Sequence, residues 1–199
     1  MKTVRGCILL AALSAAWSAA PARAADRAMQ NAYMYSKMET QDCLENQLKL
    51  YRCLCEYAAK HGGMLPTGGN FEGLRQLAAY GADFTMFHCS GSKARRVKKN
   101  GELREENNPF FYFGGMNLDE ARKKAPNIPL LMDKPGSRHW NIVYVNGRTE
   151  TVDTDKLVRK FSSCRQMVTA LHARYNYPAE VLAALLIKAD AMDGAGAKR

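Results

Sequence analysis

Asn146-Gly147 lies between two strand-like runs, Asn141 to Val145 and Arg148 to Val152, and this pattern commits that part of the chain to a β-hairpin. An Asn-Gly pair in that setting favours a tight two-residue type I′ turn. Ile128 to Met132 reads as a further strand, and the aromatic run Phe110-Phe111-Tyr112-Phe113, closed by Gly114-Gly115, as another. Together they predict an antiparallel sheet of three or four strands. Alternation along the aromatic strand buries two rings and exposes two, so Phe111 and Phe113 are candidates for a contact or ligand surface even though core use of most of the run is favoured.

Helical patterns flank the sheet. From Asp26 to His61, Leu44, Leu48, Tyr51, Cys55 and Ala58 recur at spacings of three and four, an apolar stripe, and Gly62-Gly63 with Pro66 ends it. Asn70 is placed to cap a short helix through Phe71, Leu74 and Leu77, and Asn117 with Glu120 reads as a capping box. Ser162 or Ser163 can cap a segment through Cys164, Met167, Val168 and Leu171, and Pro178 starts another through Val181, Leu185 and Ala189. The tail from Gly194 to Arg199 is expected to fray. The class is α+β: a long N-terminal helix packed on a small antiparallel sheet, with a C-terminal helical hairpin.

The first residues address the chain. Lys2 and Arg5, an apolar run from Ile8 to about Ala20, and Ala22-Arg23-Ala24 make a cleavable secretory signal, residues 1–24. The apolar run falls short of a bilayer span, and no later stretch is apolar enough, so no membrane span is expected after processing. Cys7 is read as incidental. The predicted organisation is then a domain at 25–153, the helical hairpin at 154–193 and a tail at 194–199, in a periplasmic or secreted protein. The chain has 29 Lys and Arg against 19 Asp and Glu; loss of Lys2, Arg5 and Arg23 leaves a net charge of +7. Its densest basic run, Lys93 to Lys99, is followed by Glu102, Glu105 and Glu106, the mixture of a solvated loop, and no aromatic-rich basic stripe accompanies it. Nucleic-acid binding is not expected.

Five cysteines follow the signal: Cys43, Cys53, Cys55, Cys89 and Cys164. An export route permits up to two disulfides, whose connectivity spacing alone leaves open. Cys53 and Cys55 point about 200° apart around a helix and cannot form a pair there. His139 near Asp133 and Asn141 invites metal or acid-base chemistry, since a neutral imidazole beside a carboxylate is a common ligand pair. Cys89 beside His88 suggests an activated thiol, yet neighbours in an extended run face opposite ways. Cys164 and His172, eight apart on one helix, are too distant to couple. No nucleophile elbow, phosphate loop or zinc signature is present, so no metal, cofactor or catalytic residue is expected.

Several strings in order resemble a known family. Cys43-x-x-Asn46-x-Leu48-Lys49, then Tyr57-Ala58-Ala59-x-x-Gly62-x-x-x-Pro66, is similar to the helix and exit of pseudopilin-like proteins of type II secretion. Gly73-Leu74-x-x-Leu77, Phe87-His88-Cys89, Tyr112-Phe113-Gly114-Gly115, Pro129-Leu130-Leu131-Met132-Asp133-Lys134-Pro135-Gly136 and Asn141-Ile142-Val143-Tyr144-Val145-Asn146-Gly147 look like the globular head. The resemblance covers about residues 40 to 153. It departs from filament-building members in lacking a leader ending in Gly before an apolar helix, and in adding the C-terminal hairpin. It implies a non-catalytic exported protein acting through protein-protein contacts, with envelope proteins such as a secretion or pilus apparatus as partners. With the exported location, it also implies a Cys43–Cys89 bridge; it further implies that the loop from Asp133 to Asn141 serves to turn the chain, with Asp153 and Asp155 too few for the calcium site that some heads of the family carry. The competing class is a periplasmic ligand-binding module or thiol enzyme using Asp133, His139, Asn141 and the aromatic run.

Overall fold

A computed structural model describes residues 30, 34, 37–68, 70–92, 94, 104–135, 137, 139–152 and 161–196. The signal and its cleavage site, Cys7, most of the basic run at 93–99, and Asp153 and Asp155 lie outside these. The chain divides into two compact units, residues 1–38 and 39–199. In the first, residues 30, 34, 37 and 38 are described and are helical. Among the described residues, no helix is long and apolar enough to cross a membrane.

The larger unit is α+β. Its first helix, α1, covers residues 39–60 of this unit. It stops where two glycines with positive φ, Gly62 at 62° and Gly63 at 83°, take the left-handed conformation that side chains resist. The Gly63 amide then reaches back to the Ala58 carbonyl at 2.8 Å. The short helix α2 (Asn70–Arg75) runs into a 3₁₀ turn (Gln76–Tyr80) closed by Gly81. Asn70 does not serve as its side-chain cap. It has a positive φ of 28°, and its amide links elements instead, accepting from the Tyr112 amide at 3.1 Å and donating to Glu105 at 3.0 Å. Asn117 caps α3 (Leu118–Lys124), accepting from the amides of Asp119 and Glu120, but the Glu120 side chain does not return a bond to complete the expected capping box.

Four strands, β1 (Phe110–Tyr112), β2 (Pro129–Asp133), β3 (Trp140–Tyr144) and β4 (Thr149–Val152), form an antiparallel sheet in sequence order. The Asn-Gly hairpin is present, but its turn is not type I′. Asn146 keeps a negative φ and Gly147 alone is left-handed at 82°. Gly147 donates to the Tyr144 carbonyl and Tyr144 to the Arg148 carbonyl, both at 2.9 Å, which makes a three-residue loop with a glycine bulge. The physical reason is Val145: it is fully buried and its amide is taken by the Ile128 carbonyl at 3.0 Å, so it cannot pair with Arg148, and the hairpin closes one residue earlier, at Tyr144 and Arg148.

Every residue of β1, β2 and β3 is buried, so both faces of the sheet are covered. The pairing register puts Phe110, Asp133, Asn141 and Thr151 on one face with Tyr112, Leu131 and Val143. This face meets α1, through Gln47 to Asp133 and Asn141 to the Thr40 carbonyl. Phe111, Met132, Ile142 and Tyr144 lie on the other, under α4 (Cys164–Tyr175) and α5 (Ala179–Gly196). Tyr144 packs edge-on to Tyr175 at 5.8 Å, and the Lys188 ammonium bonds the Gly114 carbonyl. Phe111 and Phe113, read as surface candidates, are therefore 5% and 0% exposed. The C-terminal hairpin supplies the second cover that strand alternation alone cannot reveal.

Ser163 caps α4, accepting from Gln166. Helix α5 continues to Gly196, beyond the Gly194 at which fraying was expected. Met192 is buried against the core, and the Asp193 carboxylate accepts the amides of Cys164 at 2.7 Å and Arg165 at 3.0 Å. That contact caps α4 and holds the last turns of α5 in place.

Candidate functional site

The α1 stripe facing the sheet is offset by one residue from the apolar pattern in the sequence. Cys43, Gln47, Leu50 and Leu54 are fully buried, while Leu44, Leu48, Tyr51 and Cys55 flank them half-buried. Gln47 interrupts the hydrophobic pattern, and a polar group is tolerated at such depth when it is hydrogen-bonded. Its amide donates to Asp133 Oδ1 at 2.9 Å. Cys43, one turn earlier on the same face, places its sulfur 3.1 Å from the same oxygen.

Three other segments converge on this point. Asp133 ends β2, and its Oδ2 accepts the Asn141 amide at 2.7 Å as the chain returns in β3. The loop between them delivers His139, whose Nε2 lies 3.6 Å from Asp133 Oδ2 and 3.3 Å from Cys89 Sγ. The segment carrying Cys89 is tied to α1 by Asn46, which donates to the His88 carbonyl at 2.9 Å. The Cys89 sulfur thus meets the imidazole of His139, fifty positions away in sequence.

The side chains of Cys43, Cys89, Asp133 and His139 each offer one ligand-type atom, and these atoms all lie within 4.8 Å of one another. Their residues are 0%, 5%, 1% and 4% exposed. Burial raises the Asp133 carboxyl to about 7. A hydrogen bond from Cys43, reinforced by His139, lowers Cys89 to about 5, while Cys43 is pushed well up by holding that proton beside Cys89. Burial opposes protonation of His139, but Cys89 and Asp133 together hold it above its ordinary value.

The structure brings together Cys43, Cys89, Asp133, His139 and Asn141, and excludes Phe111 and Phe113, which lie on the opposite face of the sheet. None of the five offers a surface. Both cysteines are free thiols here, as are Cys53, Cys55 and Cys164. Gln47 was missed as part of the site; its one legible signal is a spacing of four from Cys43, in line with Leu50 and Leu54. A groove of about 310 Å³ between α3 and α5, lined by Met116, Ala121, Ile128, Val181, Leu185 and Lys188, contains none of the predicted site residues. Set against family models, curated proteins and solved structures, the chain matches none of them.

Proposed function

We propose that this is a non-catalytic exported protein that acts through contacts with envelope proteins, a secretion or pilus apparatus among them, as the pseudopilin-head resemblance implies. The observation that supports the non-catalytic part is the geometry around His139. A thiol relay needs one imidazole nitrogen at the nucleophile and the other at the orienting carboxylate. Here Nε2 faces both Cys89 and Asp133, and all three groups are enclosed. Such a thiol has neither the relay nor the access that catalysis on a substrate requires.

The test is a cross-linked pull-down of the tagged mature protein from envelope fractions of its host. Recovery of pseudopilins or secretion-platform proteins is expected, and clean recovery of bait alone would sink the reading. One observation favours the competing thiol enzyme: Cys89 is held low enough to be a thiolate at neutral pH. Alkylation separates the two. In the folded protein Cys89 should react with iodoacetamide far more slowly than the half-buried Cys55, and rapid modification of Cys89 would favour the enzyme.

A further inference from the structure

We propose that Cys43, Cys89, Asp133 and His139 form a four-ligand site for a divalent cation of the zinc type, built to hold the fold together. The donors are all types that zinc takes, two sulfurs, an imidazole nitrogen and a carboxylate oxygen, and their number is that of a closed tetrahedral site with no position left for water or substrate. Four such ligands around tetrahedral zinc stand about 3.3–3.8 Å apart, given Zn–S near 2.3 Å and Zn–N or Zn–O near 2.0 Å. The separations are 3.1 Å from the Cys43 sulfur to Asp133 Oδ1, 3.3 Å from the Cys89 sulfur to His139 Nε2 and 3.6 Å from His139 Nε2 to Asp133 Oδ2, and the four donors all lie within 4.8 Å of one another, so small side-chain shifts would bring them onto one ion held through a single carboxylate oxygen.

Three details separate this arrangement from a chance polar cluster. His139 turns one nitrogen toward two other donors, as convergence on a common centre requires. Asp133 has about four lone-pair positions; the Gln47 amide and the Asn141 backbone N–H take two, and the remainder face Cys43 and His139. Those two donors also orient the carboxylate, as outer-shell partners of metal ligands do. Finally, each ligand comes from a different segment, α1, the loop before residue 92, the end of β2 and the loop between β2 and β3, so one ion would cross-link positions 90 residues apart. With an ion bound, both cysteines would give up their protons and bind as thiolates beside the Asp133 carboxylate, and the divalent cation would offset most of that charge. Two sulfurs make calcium or magnesium a poor occupant.

The experiment uses the mature chain without a histidine tag. Elemental analysis of protein purified without chelator should find one zinc per chain. Protein stripped under reducing conditions and titrated with Co²⁺ should develop the visible ligand-field bands of tetrahedral cobalt and a near-ultraviolet thiolate-to-cobalt band, saturating at one equivalent. Cys43→Ser and Cys89→Ser should each weaken the near-ultraviolet band, whereas Cys53→Ser and Cys164→Ser should leave it intact. Because the wild-type titration needs no variant, misfolding of a serine variant does not weaken the test. Absence of both zinc and the cobalt bands overturns the site. So does a non-reducing peptide map showing a Cys43–Cys89 cross-link, since a bridge and a metal compete for the same two sulfurs.

Discussion

Tyr112 sets the tolerance of its surroundings. It is 2% exposed, its hydroxyl donates to the Pro66 carbonyl at 3.0 Å, and its ring leaves no room beside two glycines. A Cβ on Gly73 would stand 2.5 Å from the ring, and one on Gly114 would stand 2.0 Å from it. Overpacking of this kind costs about 1–3 kcal/mol. Gly73→Ala should lower the Tm measurably and Gly114→Ala by more; a Gly114→Ala protein with unchanged melting would show that the ring can move aside. Glu150 makes a prediction about pH. Burial disfavours its charge, but the hydroxyls of Tyr175 and Tyr144 and the Arg174 guanidinium prevail and hold it below its ordinary 4.5. A depressed carboxyl contributes stability that is present above pH 4.5 and is lost as pH falls through the folded value. Melting should therefore fall more steeply below pH 4.5 for wild type than for Glu150→Gln, and parallel curves would exclude that linkage.

Among the elements, helix ends and turns are held by side chains from elsewhere in the chain. Asp193 caps α4 from the far end of α5, so Asp193→Ala should cost about 1 kcal/mol and melt α4's first turn, read as faster amide exchange at Cys164 and Arg165. Exchange unchanged from wild type would mean the cap is replaced by water. In the hairpin, Gly147 combines a φ of 82° with a Cβ position 3.0 Å from the Tyr51 hydroxyl. Gly147→Ala should destabilise by about 1–2 kcal/mol in a chemical denaturation curve, since both the backbone and the packing resist a side chain. A midpoint within error of wild type would argue that the turn relaxes to another type.

At the scale of the molecule, the sheet is a central layer with α1 on one face and α4 with α5 on the other. A boundary near residue 153, which the sequence suggested, would leave Phe111, Met132 and Ile142 uncovered, all at most 5% exposed in the full chain. Removal of residues 161–199 should consequently yield a protein that binds a hydrophobic dye and lacks a cooperative melting transition. A truncated chain that melts cooperatively would show that the part before residue 161 folds without the helical hairpin.

Local patterns were enough to determine the α+β class, the Gly62-Gly63 stop, the Asn117 cap and the four strands, because each depends on neighbours a few residues apart. The turn type at Asn146-Gly147 was not legible, since it follows from whether Val145 is buried by distant segments. Nor was the role of Gln47, which looks like a break in an apolar stripe until Asp133 is seen opposite. The strings containing Cys43 and Cys89 suggested that these two belong together, but His139 and Asp133 join them only through the β2–β3 return. Tertiary structure decided the site because its four donors come from four segments, and local sequence carries no term for what a side chain meets across the fold.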